Sequence, residues 1–136
     1  MQFIRSYNVD FKAGSKNEYS NTNFILLGYI LEAIEGKPYK ALLKNRIVDT
    51  IGLKNTFYGD VIIENNNECL SYFYEENNSL YEAKQAHLSN PGGAGAIVSN
   101  PNDLTLFYHS LFNGKLISPE SLKIMTTIKN EMVVVF

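Results

Sequence analysis

The sequence predicts a mainly α protein with one small β-hairpin, and three observations carry that expectation. Apolar residues Phe24, Leu27, Leu31 and Ile34 recur at helical spacing. Two later segments, Asn100-Pro101 and Ser118-Pro119, each place a capping residue before a proline, which is how many helices start. Only one pair of runs, "ECLSYFY" and "SLYEAKQ" around "EENN", combines β-favouring residues with a turn between them. A chain of 136 residues has room for one domain, and 45% hydrophobic residues is ordinary for a globular core.

Taken in order, the first helix carries the Phe24–Ile34 stripe with Ile30 beside it. It should stop at Gly36, followed by Pro38, a glycine past the end and then a proline. Pro38 can open the second helix at its first position, and Tyr39, Leu42, Leu43 and Ile47 give that helix one face before Gly52. "GLKNTFYGD" reads as a loop and the hairpin follows. In "NPGGAGAIVSNPND", Gly92, Gly93 and Gly95 permit close backbone approach or unusual dihedrals. A third helix begins with Asn100 as cap, Pro101 at the first position and Asp103 near the positive helix end. Leu104, Phe107, Tyr108 and Leu111 form its stripe, and Gly114 closes it. Ser118 and Pro119 start a short fourth helix carrying Leu122 and Met125. The final "EMVVVF" is strand-like and lacks a visible partner strand.

Composition narrows the function. A net charge of −2 offers no basic footprint for nucleic acid or an anionic membrane surface. The Asn-rich, acidic stretch "IIENNNECLSYFYEENN" reads as polar surface. Cys69 is the single cysteine, so neither a disulfide within the chain nor a cysteine-based metal site can form. His87 and His109 lie far apart without carboxylates at ligand spacing, and Gly-Lys-Ser and Gly-Lys-Thr are absent, which excludes a P-loop. No cofactor is expected. The longest apolar run is too short to span a membrane, and "MQFIRSYNVDF" has no signal-peptide core. Localisation is therefore open.

The chemistry-bearing candidate is Tyr19-Ser20-Asn21. Structurally, Ser20 as N-cap would put Tyr19 just before the helix and Phe24 four residues into it, the hydrophobic-staple arrangement; Asn21 is an alternative cap. Chemically, a phenol can act as general base or proton shuttle. With an ordinary tyrosine pKa of about 10, it needs a cationic neighbour to do so at neutral pH. The asparagine can donate its amide N–H to a substrate carbonyl.

"YSNTNFILLGYILEAIEGKPYKALLKNRIVDTIGLKNTFY" resembles the serine β-lactamase and penicillin-binding-protein family, in particular its class C β-lactamase, D-Ala-D-Ala carboxypeptidase and esterase branch. That branch has a Tyr-x-Asn element opening a helix, then a "G-x-P/S-Y" start, then a segment similar to "TIGLKNT", Thr50 to Thr56. Its glycine-rich "aGGl-x-S-x-x-D-l" segment resembles Gly92 to Met125. The resemblance runs from about Phe11 to Met125. It implies Tyr19 as the general base or proton shuttle and Asn21 as a substrate-binding residue. It also implies a small-molecule or peptidoglycan-like substrate: a β-lactam, a D-Ala-D-Ala peptide or an ester. Members of the family are mostly exported or membrane-associated.

Two of the family's elements are missing. None of the ten serines has lysine three residues on, so there is no Ser-x-x-Lys nucleophile motif; Lys-Thr-Gly and His-x-Gly are absent as well. The expectation is a single partial domain over residues 1–136. It would be the helical portion of the β-lactamase/transpeptidase-like α/β fold, lacking the nucleophile segment and most of the sheet, and inactive by itself. The alternative is a non-catalytic ligand-binding or structural protein derived from that fold. Without a covering sheet an apolar face would lie open, so a homo-oligomer is expected through it. His87, Ser89-Asn90 and Ser99-Asn100 are read as surface, turn or cap residues, Glu18 as an exposed loop carboxylate, and Cys69 as packing or surface.

Overall fold

The computed structural model describes residues 8–12, 14–16, 18–59, 68–83 and 92–127. Helix α1, Asn21–Glu35, ends at Gly36, whose left-handed φ of 62° suits a residue without Cβ; its N–H donates to the Glu32 carbonyl at 2.9 Å. Pro38 is not the first residue of the next helix but its N-cap, extended at ψ 144°. Its carbonyl accepts from the N–H groups of Ala41 and Leu42. Glu32 Oε1 reaches from α1 to accept the Tyr39 N–H at 2.7 Å, satisfying a donor that the helix start leaves unpaired. Helix α2, Tyr39–Leu43, continues through a π-helical turn, Lys44–Val48, into α3, Asp49–Ile51. Leu42 and Leu43 are buried on the expected face, and with Leu53 and Leu111 they make up the apolar core of the described residues.

Two small antiparallel sheets follow. Strand β1, Phe57–Tyr58, lies inside the segment read as a loop and pairs with β4, Ile97–Val98, in the register Phe57↔Val98 and Tyr58↔Ile97. Two residues are too few for alternation to show in a sequence, and the partner lies far along the chain. The expected hairpin is present: β2, Tyr72–Tyr74, pairs with β3, Leu80–Glu82, and the rings of Phe73 and Tyr81 stack at 6.0 Å.

Between the sheets in sequence, Gly92–Ala94 forms a 3₁₀ turn that packs on α1. The contact is backbone to backbone. A Cβ on Gly93 would stand 2.4 Å from the Phe24 carbonyl oxygen, and one on Gly28 would stand 3.3 Å from the Gly93 nitrogen. Gly28 is accordingly the buried residue of α1. The apolar stripe beside it is open, with Phe24, Leu27, Leu31 and Ile34 exposed by 44, 53, 45 and 73%.

Helix α4, Pro101–Phe112, starts as expected, with Asn100 Oδ1 accepting the Asp103 N–H at 2.9 Å. Its buried face differs from the anticipated stripe. Leu111 is buried and Phe107 half-buried, but Leu104 and Tyr108 are exposed while Asp103 and Ser110 go inside. Helix α5, Pro119–Thr126, is capped by Ser118 Oγ, which accepts from Ser121 N–H at 3.2 Å; Leu122 is half-buried and Met125 exposed. His87, Ser89-Asn90 and "EMVVVF" lie outside the described residues.

Candidate active site

The entrance to α1 settles how its three polar residues are used. Ser20 is the N-cap, in extended conformation, yet its side chain makes no capping hydrogen bond; only its backbone carbonyl serves, accepting from Asn23 N–H at 3.1 Å. Asn21 is the first helical residue and not a cap. Tyr19 packs on Phe24 with ring centroids 5.7 Å apart, which is the staple contact. The Tyr19 hydroxyl donates to Asn21 Oδ1 at 2.8 Å. The staple reading is therefore right for the rings, while the phenol and the amide are committed to each other and not to the helix backbone.

Tyr19 is 75% exposed and forms part of a cleft of about 390 Å³ with Phe24, Tyr39 and the run Gly93–Ile97. The depression is shallow and largely open to solvent. Three aromatic rings, glycine and alanine backbone and Ile97 give it an apolar lining with the phenol at one side. Tyr39 is held in turn by an edge-on contact with Tyr58 of β1, centroids 5.7 Å apart. Close by in sequence, Lys16 pairs with Glu18 at 2.7 Å and lies 4.6 Å from the Phe11 ring centroid. Glu18 is thus an exposed carboxylate occupied by Lys16, as the sequence suggested. His109 is exposed on α4 and Cys69 exposed before β2.

Asp103 was read only as a helix-dipole partner, and the structure gives it more to do. Its side chain is 5% exposed and Oδ2 accepts from the Asn55 N–H at 2.7 Å and from Thr56 Oγ1 at 2.8 Å. Thr56 Oγ1 lies 2.7 Å from Ser99 Oγ. Burial pushes the carboxyl pKa up. The Asn55 N–H, the Thr56 hydroxyl and the backbone and charge of Lys54 outweigh it and hold the group below the usual carboxylate value. The signal that could have found this was the polar type of Asp103 and Ser99 beside the apolar stripe of α4. Thr50–Thr56 and Gly92–Met125, the two separate segments noted for their resemblance, meet through this carboxylate.

Comparison with known proteins identifies the family. The model of the Beta-lactamase family matches residues 1–131. A putative D-alanyl-D-alanine carboxypeptidase of Escherichia coli O157:H7 is 23% identical over an alignment covering 96% of this chain and 36% of that protein. Among solved structures, a D-stereospecific amidohydrolase from Streptomyces sp. superposes with a TM-score of 0.80 at 30% identity, over 94% of this chain and 38% of that one. A D-amino acid amidase from Ochrobactrum anthropi SV3, complexed with D-phenylalanine, gives 0.78 at 27% identity, over 90% and 38%. The chain spans little more than a third of the length of these relatives.

Proposed function

This chain belongs to the beta-lactamase family of serine hydrolases, and from that premise we propose that it supplies the Tyr-x-Asn side of an acyl-transfer active site whose nucleophile lies on other residues. The observation that carries the reading is the 2.8 Å Tyr19–Asn21 hydrogen bond beside the cleft. With its oxygen engaged by the phenol, Asn21 has its NH₂ end left to donate to a substrate carbonyl. In the resting form the phenol keeps its proton and donates to Asn21. Tyr19 carries protons as the tyrosinate, stabilised by a cationic lysine that comes with the nucleophile. In that form it takes the proton of the attacking serine and passes it to the leaving nitrogen or oxygen. The substrates proposed are amides of the kind named for the relatives, D-aminoacyl amides and D-alanyl-D-alanine peptides, with β-lactams and esters as chemically equivalent acyl donors.

On this reading residues 1–136 form the helical part of the domain and have no acyl-transfer activity by themselves. None of the chain's serines has a lysine one helical turn on, and Lys16, which precedes Tyr19 in the sequence, is tied to Glu18. The chain incubated with a fluorescent penicillin, a chromogenic cephalosporin, a p-nitrophenyl ester and D-phenylalaninamide should show no covalent label and no turnover. A labelled serine would overturn this part. The positive part is tested by grafting residues 8–127 into the matching region of the Streptomyces amidohydrolase. There Tyr19→Phe should lower kcat/KM by about 10²–10⁴-fold, the range for losing general acid–base catalysis. An active graft indifferent to Tyr19→Phe would favour the non-catalytic, ligand-binding reading, which the exposure of Tyr19 also fits.

A further inference from the structure

We propose that Asp103, Thr56 and Ser99 form a directed hydrogen-bond clamp that positions the Ala96–Ile97 wall of the cleft. The proposal rests on the cleft being the substrate site only for its consequence in catalysis; the clamp itself follows from the described geometry.

An ionised carboxylate is acceptor-only, and a threonine hydroxyl has one proton to give. The Thr56 hydroxyl at 2.8 Å must therefore donate to Asp103 Oδ2. Its contact with Ser99 Oγ at 2.7 Å then has one possible sense: Ser99 donates to Thr56. The order is Ser99 to Thr56 to Asp103, with the Asn55 N–H as a second donor at the same Oδ2. Charge-assisted bonds of this kind are stronger than neutral ones.

The clamp's position explains what it holds. Asn55 and Thr56 immediately precede β1, and Ser99 immediately follows β4. The carboxylate thus fastens the same end of both strands of a sheet that has only two residue pairs, Phe57↔Val98 and Tyr58↔Ile97. Such a short ladder is too weak to keep its own register. At the other end of the ladder, Ala96 has φ +68°, a left-handed conformation costly for a residue with a Cβ, and its carbonyl accepts the Gly59 N–H at 2.6 Å. Ala96 and Ile97 line the cleft, and Tyr58 of the same sheet braces Tyr39, another lining residue. A strained residue in a binding wall persists only where its surroundings fix it, and the clamp is the buried polar anchor of those surroundings. These three are positioning residues and touch no substrate themselves.

The test uses the ¹⁵N-labelled chain and amide hydrogen exchange. Thr56→Val keeps the shape of the side chain and removes the donor; Thr56→Ser keeps the donor. In Thr56→Val the Gly59 amide should exchange about tenfold faster relative to the Leu42 amide of α2, the change expected from losing one part-buried hydrogen bond. Thr56→Ser should restore the ratio to within about twofold. Equal acceleration of Gly59 and Leu42 would mean loss of global stability alone and would overturn the clamp, as would an unchanged ratio in Thr56→Val. In the active graft, Thr56→Val should raise KM more than it lowers kcat. A changed exchange ratio with KM untouched would leave the clamp standing and count against the cleft as substrate site.

Discussion

On one side of α1, Gly28 meets Gly93 backbone to backbone, while on the stripe next to it Leu27, Leu31 and Ile34 stand in solvent. The hydrophobic effect alone would favour the opposite arrangement, with the large apolar side chains covered first. The difference separates two kinds of information in one helix. The glycine side encodes a contact completed within this chain, and it is specified by the absence of side chains. The apolar stripe encodes a contact that the described residues leave open. Both affect the cleft, since Phe24 and Gly93 line it together at the junction of the two sides.

The contrast breaks most visibly at Gly93. Any Cβ there meets the Phe24 carbonyl oxygen at 2.4 Å, and that atom belongs to a helix backbone that cannot rotate aside. Gly93→Ala should destabilise the chain by about 1–3 kcal/mol, the range for overpacking, measured as a lower urea midpoint. Gly28→Ala, where the tightest approach is 3.3 Å, should cost less than Gly93→Ala. If the two were equal, or Gly93→Ala neutral, the close approach would not be what docks the glycine turn.

A second prediction compares the glycine contact with the polar one. Asp103 titrates below the ordinary aspartate value in the folded chain, so the unfolded chain binds the proton more readily. The carboxylate's contribution is complete above the unfolded pKa, about 3.9. It is lost as pH falls through the folded value. Urea midpoints should therefore drop on acidification below about pH 4, and Asp103→Asn should flatten that part of the profile. Gly28→Ala should leave the profile's shape unchanged, because packing carries no proton.

What the sequence made legible follows the same division. The starts of α4 and α5 were readable because Asn100, Pro101, Ser118 and Pro119 act on neighbours within one turn. The hairpin was readable because β2 and β3 are adjacent and their turn residues lie between them. Strands β1 and β4 were not, since each is only two residues long and its partner lies far along the chain, too little for any alternation to show. At the candidate site, local pattern offered both capping and chemical uses for Tyr19 and Asn21. Only coordinates show the phenol donating to the amide. The burial of Ser110 and the exposure of Leu104 and Tyr108 likewise depend on what packs against α4, which no period of its own sequence encodes.

The smallest expected effect on stability belongs to the open stripe, and it sharpens the comparison most. Ile34 is 73% exposed at the end of α1, so Ile34→Gln removes little buried area. Such surface changes usually stay within about 0.5 kcal/mol, and the urea midpoint should scarcely move. Self-association should respond differently. Contiguous exposed apolar surface drives pairing, and we expect the chain to form dimers or larger species through Leu27, Leu31 and Ile34. Leu27→Gln combined with Ile34→Gln should lower the mass seen by light scattering while leaving the circular dichroism spectrum intact. A chain that is monomeric before substitution would refute pairing through this stripe. A large loss of stability in Ile34→Gln would instead show that the stripe is already covered within the chain, and the two sides of α1 would no longer differ in the way described.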